Sequence, residues 1–81
     1  MVDRGGHYEV RVAAAAADPR RMEVEVSERR LHVRIPEAAS PVDRVFELAY
    51  AVDPAGVTAR WTRGVLEIRL PKKRGRKIKI E

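Results

Sequence analysis

Strict alternation of apolar and polar residues dominates this chain, and that period belongs to β-strands half-buried on one face. Tyr8, Val10, Val12 and Ala14 alternate with His7, Glu9, Arg11 and Ala13. Met22, Val24 and Val26 alternate with Glu23 and Glu25, and Leu31, Val33 and Ile35 with Arg30, His32 and Arg34. A fourth run sets Phe46, Leu48 and Tyr50 against Val45, Glu47 and Ala49, a fifth carries Val57, Ala59 and Trp61, and a sixth Leu66, Ile68 and Leu70. Turn signals separate the runs: Asp18-Pro19, Ser27-Glu28-Arg29, the stretch 36–41, Asp53-Pro54-Ala55-Gly56 and Arg63-Gly64, with Pro71 ending the last. Six short alternating runs joined by turns predict an all-β, antiparallel sandwich or barrel.

The five alanines Ala13–Ala17 favour helix by propensity. The segment is too short to nucleate one and continues an alternating strand, so strand is the expectation. With 81 residues the chain makes one domain. A domain this small buries only about 60% of its unfolded surface, so association with other copies would add stability. No cysteine is present, which removes disulfides, thiol nucleophiles and thiolate metal sites. The first six residues lack the apolar core of a secretory signal, and the longest apolar run, Val12 to Ala17, is far below the roughly 20 residues that span a bilayer. These features suit a soluble protein of a reducing, cytoplasmic compartment, with no membrane partner.

The net charge of +5 first suggests a nucleic-acid partner. Its location argues otherwise. Six basic residues lie from Lys72 onward against the single acid Glu81, and the other eleven Lys/Arg balance the other eleven Asp/Glu. A neutral body without a clustered aromatic platform is a poor nucleic-acid surface, and the basic stretch reads as a solvated linker. The division expected is a short stub (1–6), a β-sandwich domain (7–71) and a basic tail (72–81). The tail ends Lys77-Ile78-Lys79-Ile80-Glu81, two β-branched residues on one face of a charged strand. That face needs a dock. Another copy, the chain's own sandwich, or no dock at all remain open.

His7 and His32 fall on outward positions with no third ligand, and Ser27 and Ser40 sit in turns with no paired base. No glycine-rich phosphate loop occurs. The expectation is no metal, no cofactor, no catalytic residue and no enzyme.

The segment Ala59-Arg60-Trp61-Thr62-Arg63-Gly64-Val65-Leu66, with Val52-Asp53-Pro54 before it and Leu70-Pro71-Lys72 after it, resembles the A-x-x-x-n-G-v-L hairpin of the small heat-shock proteins. Ile78-Lys79-Ile80 resembles their C-terminal I-x-I tail, and Tyr8 to Ile35 matches the first strands of their alpha-crystallin domain more loosely. The resemblance implies an immunoglobulin-like antiparallel sandwich and an ATP-independent holdase. Such a protein binds partly unfolded clients and assembles with other copies. It makes Ile78 and Ile80 the docking knobs, and the groove candidates Met22, Val24, Val26, Val57, Ala59 and Trp61. Ala59, Gly64, Val65 and Leu66 carry the hairpin motif; Gly64 supplies the positive φ the turn needs.

Four departures from the family pattern stand out. The arm before the first strand is short, alanines replace the usual Pro-Gly after that strand, and Arg63 replaces the usual Asn or Asp. The connection from Pro36 to Asp43, eight residues, spans at most roughly 27 Å. It is too short to carry an extra strand to a partner and back, so no strand-swapped dimer is expected. A second reading keeps the fold and makes the chain a CS-type co-chaperone adaptor for one defined partner; the I-x-I tail is atypical of that group.

Overall fold

The structure, a computed structural model, describes residues 1–36, 38, 40–73 and 80. Seven strands follow in chain order: β1 (Val2–Asp3), β2 (His7–Ala13), β3 (Glu23–Ser27), β4 (Arg30–Ile35), β5 (Val42–Glu47), β6 (Thr58–Thr62) and β7 (Val65–Pro71). They form two antiparallel sheets, β1-β2-β7-β6 and β3-β4-β5. Of the all-β antiparallel sandwich or barrel expected from the alternation, the chain adopts the sandwich that the resemblance implies.

Alternation becomes packing on the central strands. Tyr8, Val10 and Val12 of β2, Leu31, Val33 and Ile35 of β4, and Leu66, Ile68 and Leu70 of β7 are all buried in one core with Ala14, Leu48 and Val52. Among the described residues the core holds no charged side chain, and no buried side-chain polar atom lacks a partner. Tyr8 reaches its polar end out of the core, where its Oη accepts the Tyr50 N–H at 3.1 Å.

Two Asp-Pro pairs build the same turn. Asp18 and Asp53 each cap a three-residue 3-10 turn, Pro19–Arg21 and Pro54–Gly56, accepting from the N–H two residues on at 3.0 and 3.1 Å. A Cβ on Gly56 would come within 2.8 Å of Pro71 Cγ, so this turn seats directly on the end of β7.

Three details differ from the sequence reading. The stub at 1–6 contains β1, which folds back on β2 through Gly5 at φ 88°. The alanine run is not helical, yet the strand ends at Ala13; Ala16 turns the chain at φ 62°. The fourth run ends at Glu47, and Tyr50 lies beyond it, 61% exposed. There the chain must leave one sheet for the other, and Leu48 and Val52 donate to Arg29 and Glu28 at the β3–β4 turn. Pro71 closes β7 from within, pairing with His7 and accepting from Asp53 N–H at 2.9 Å.

Where the body ends, the backbone is fastened. Lys72 N–H donates to Gly6 and Lys73 N–H to Ala51. The Lys72 ammonium lies 2.9 Å from Asp3 Oδ1 and over the rings of Tyr8 and Tyr50, at 4.9 and 4.5 Å. Lys73 Nζ meets Glu28 Oε1 at 2.8 Å. The hydrogen bond from Lys72, then that from Gly5 N–H, hold the Asp3 carboxyl below its ordinary 3.8; the hydrogen bond from Lys73 does the same for Glu28 below 4.5. Depressed carboxylates stabilise the fold above their unfolded pKa, and that contribution is lost as pH falls through the folded values. Asp3→Asn/Glu28→Gln should therefore melt below the wild type at pH 7, with the gap closing as pH falls through the lowered folded values of these two carboxyls; a gap that persists in acid would count against these pairs.

The β6–β7 hairpin turns on Arg63 and Gly64, at φ 51° and 79°. Both signs are positive, as a two-residue type I′ turn requires, and Gly64 O accepts from Ala14 N–H at 2.8 Å. A left-handed conformation costs an L-residue such as arginine about 1–2 kcal/mol, less for asparagine. Arg63→Asn should raise stability by about 0.5–1 kcal/mol, seen as a higher urea midpoint at unchanged slope.

Candidate functional site

Each sheet is narrow, so its outer strands are only half covered. Among the described residues β3 pairs with β4 alone and β6 with β7 alone, and the two sheets share no ladder. Each of these edge strands therefore carries one unpaired row of backbone N–H and C=O groups, the chemistry that accepts an added strand.

Their inward side chains show the same incompleteness. On β4 the inward residues are 0–1% exposed, whereas Val24 and Val26 of β3, one strand further out, are half-buried. On the other sheet Leu66, Ile68 and Leu70 are sealed, while Trp61 of β6 is half-buried. Of the six groove candidates, Met22, Val24, Val26, Val57 and Trp61 all pack against the same core from its rim. Ala59 is the exception. It is exposed, does not pack on that core, and lines a shallow concavity of about 490 Å³ with Glu9, Arg11, Arg60, Glu67 and Arg69.

The hairpin residues are structural. Gly64 makes the turn, Leu66 is buried, Val65 half-buried, and the tip contacts the alanine segment at Ala15, 3.8 Å from where a Gly64 Cβ would stand. Of the two tail residues, Ile78 lies outside the described residues. Ile80 is described and is 92% exposed, an uncovered β-branched side chain.

His7 bonds Glu9 at 3.2 Å and His32 bonds Asp43. Among the described residues no group of three His, Asp or Glu side chains is placed to hold a metal ion. Ser27 pairs with Arg30 at the β3–β4 turn, and Ser40 is exposed in the connection 36–41. No helix among the described residues is long and apolar enough to cross a membrane.

Sequence reasoning missed the contribution of β5. Val42 and Phe46 pack on the core rim from a third unpaired edge, with the Arg44 guanidinium 4.9 Å over the Phe46 ring. It also missed the charged concavity, because only the register sets Arg60 opposite Glu67 and Glu67 opposite Arg11.

No protein-family model matches this sequence, and no curated protein does. Solved structures match nearly end to end. A point mutant of hsp14.1 from Sulfolobus solfataricus P2 superposes with a TM-score of 0.72 at 23% identity, over 99% of this chain and 74% of its own. A small heat-shock protein from Xylella fastidiosa gives 0.72 at 20% identity, covering 98% and 90%. The rat alpha crystallin domain gives 0.67 at 22% identity, covering 100% and 95%. Strand order, the β6–β7 hairpin and these superpositions converge on one architecture: the chain has the fold of the alpha-crystallin domain, as found in small heat-shock proteins.

Proposed function

We propose that this chain is an ATP-independent chaperone module of the cytoplasm, a holdase that shields partly unfolded proteins and self-associates through its tail. The observation that carries the reading is the pair of half-covered edge strands, β3 and β6, on an alpha-crystallin sandwich whose sequence carries Ile78-Lys79-Ile80 beyond its last strand. An unpaired edge with apolar side chains at its rim can bind any extended segment that alternates in phase with it. No bond is made or broken in that process, and the reading assigns no catalytic step.

Two kinds of segment satisfy that description. One is an unfolded client strand. The other is the tail of a second copy, with Ile78 and Ile80 as knobs. Each isoleucine gains about 1.5–3 kcal/mol on full burial, less the ordering of the tail, so a single contact is weak. Several contacts in one assembly reinforce each other through effective concentration. Weak contacts that exchange leave the same edge open to clients.

Ile78→Ala/Ile80→Ala should lower the mass measured by light scattering across a concentration series; an unchanged mass would remove tail-mediated assembly. For the client role, an aggregation-prone protein heated with a molar excess of the chain should scatter less light than when heated alone. Equal turbidity would remove the holdase reading.

A further inference from the structure

The tail sequence and one edge strand are complementary residue by residue. β3 begins Glu23-Val24-Glu25-Val26, and the tail reads Lys77-Ile78-Lys79-Ile80. In β3 both glutamates are exposed and both valines turn toward the core, half-buried. Glu23 meets Arg34 at 3.3 Å, and Glu25 has no partner among the described residues. We infer that β3 selects the tail of a second copy of this chain by charge, Glu23 and Glu25 facing Lys77 and Lys79 across the new strand pair. This rests on the tail docking proposed above and adds to it a code for which tail is accepted.

The pairing follows from the period of two. A tail strand laid on β3 with its isoleucines on the valine face puts its lysines on the glutamate face, and a slip of one residue would reverse both at once. Run antiparallel, Lys79 stands opposite Glu23 and Lys77 opposite Glu25. Run parallel, the same charges meet with partners exchanged. Directly opposed unlike charges stabilise a strand pair and like charges destabilise it.

The other edges lack this combination. On β6 the outward residues are Thr58, Arg60 and Thr62, so a lysine-bearing strand would meet a guanidinium. On β5 both outward acids are engaged, Asp43 by His32 and Glu47 by Arg30, whereas on β3 only Glu23 is among the described residues, and Arg44 occupies an inward position where an isoleucine neighbour would need an apolar one. The two residues of β1 are too few. The occupant proposed is the tail of a second copy, because Lys77-Ile78-Lys79-Ile80 matches Glu23-Val24-Glu25-Val26 in charge and apolar phase while Ile80 is 92% exposed on its own sandwich.

Reciprocal charge reversal tests the code in the full chain. Glu23→Lys/Glu25→Lys gives a basic edge and a basic tail; Lys77→Glu/Lys79→Glu gives an acidic edge and an acidic tail. Each alone should need about 5- to 30-fold more protein for half-association by sedimentation velocity. Mixed in equal amounts, both contacts become complementary and association should return. The milder Glu23→Gln/Glu25→Gln keeps the test valid if reversal disturbs folding, with weakening of about 2- to 5-fold that disappears at high salt. Association of either reversal variant at the wild-type concentration, or a mixture that stays dissociated, overturns the charge code. Should Ile78→Ala/Ile80→Ala also associate like the wild type, the docking reading falls first and the code with it.

Discussion

The pairing of β2 with β7 is the constraint on which the rest of this molecule depends. Seven residue pairs, from His7 with Pro71 to Ala13 with Val65, join the beginning of the domain to its end. The inner face of that ladder carries Tyr8, Val10, Val12, Leu66, Ile68 and Leu70, about half of the buried core. There is no disulfide to hold these distant segments together, so apolar burial and ladder hydrogen bonds do so alone. The second sheet closes over this face with Leu31, Val33 and Ile35 of β4. Once the two central layers meet, every other strand is necessarily an edge.

That geometry explains why a stable fold and open sheet edges coexist. A sheet of three strands has one sealed strand and two half-sealed ones, and a sheet of four has two of each. The half-sealed positions Val24, Val26 and Trp61 still contribute to the core, so they cannot become polar without weakening it. Among the described residues nothing covers them further. The protein limits the resulting hazard with charge, alternating glutamates on β3 and arginine with threonines on β6. Under the proposed charge code the same residues would discriminate among the strands that come to pair.

Much of this was legible in the sequence because strand burial has a period of two and the turns are spelled in Asp-Pro and Arg-Gly pairs. The inward sets on β2, β4 and β7 were read correctly residue by residue. What failed was local or topological. Two residues are too short to display alternation, so β1 hid inside a stub beside Gly5 and Gly6. Alternation ran on past Glu47 although the chain was already crossing between sheets, which misplaced Tyr50. Ala59 has the parity of a core residue, but a small side chain on an outermost strand does not reach what Trp61 reaches. The sequence pattern alone also could not say which runs lie at edges, and so which inward faces stay half-open.

The grip on Lys72 and Lys73 has a geometric consequence. With Lys73 N–H tied to Ala51 and its ammonium to Glu28, the backbone is anchored to the body up to that residue. From there to Ile80 run seven residue steps, which even fully stretched reach only about 24 Å. Under the proposed docking, a neighbour engaged by Ile80 must therefore present its receiving edge within a short radius of this corner of the sandwich. On that proposal the anchor would act as a ruler for the spacing of adjacent copies.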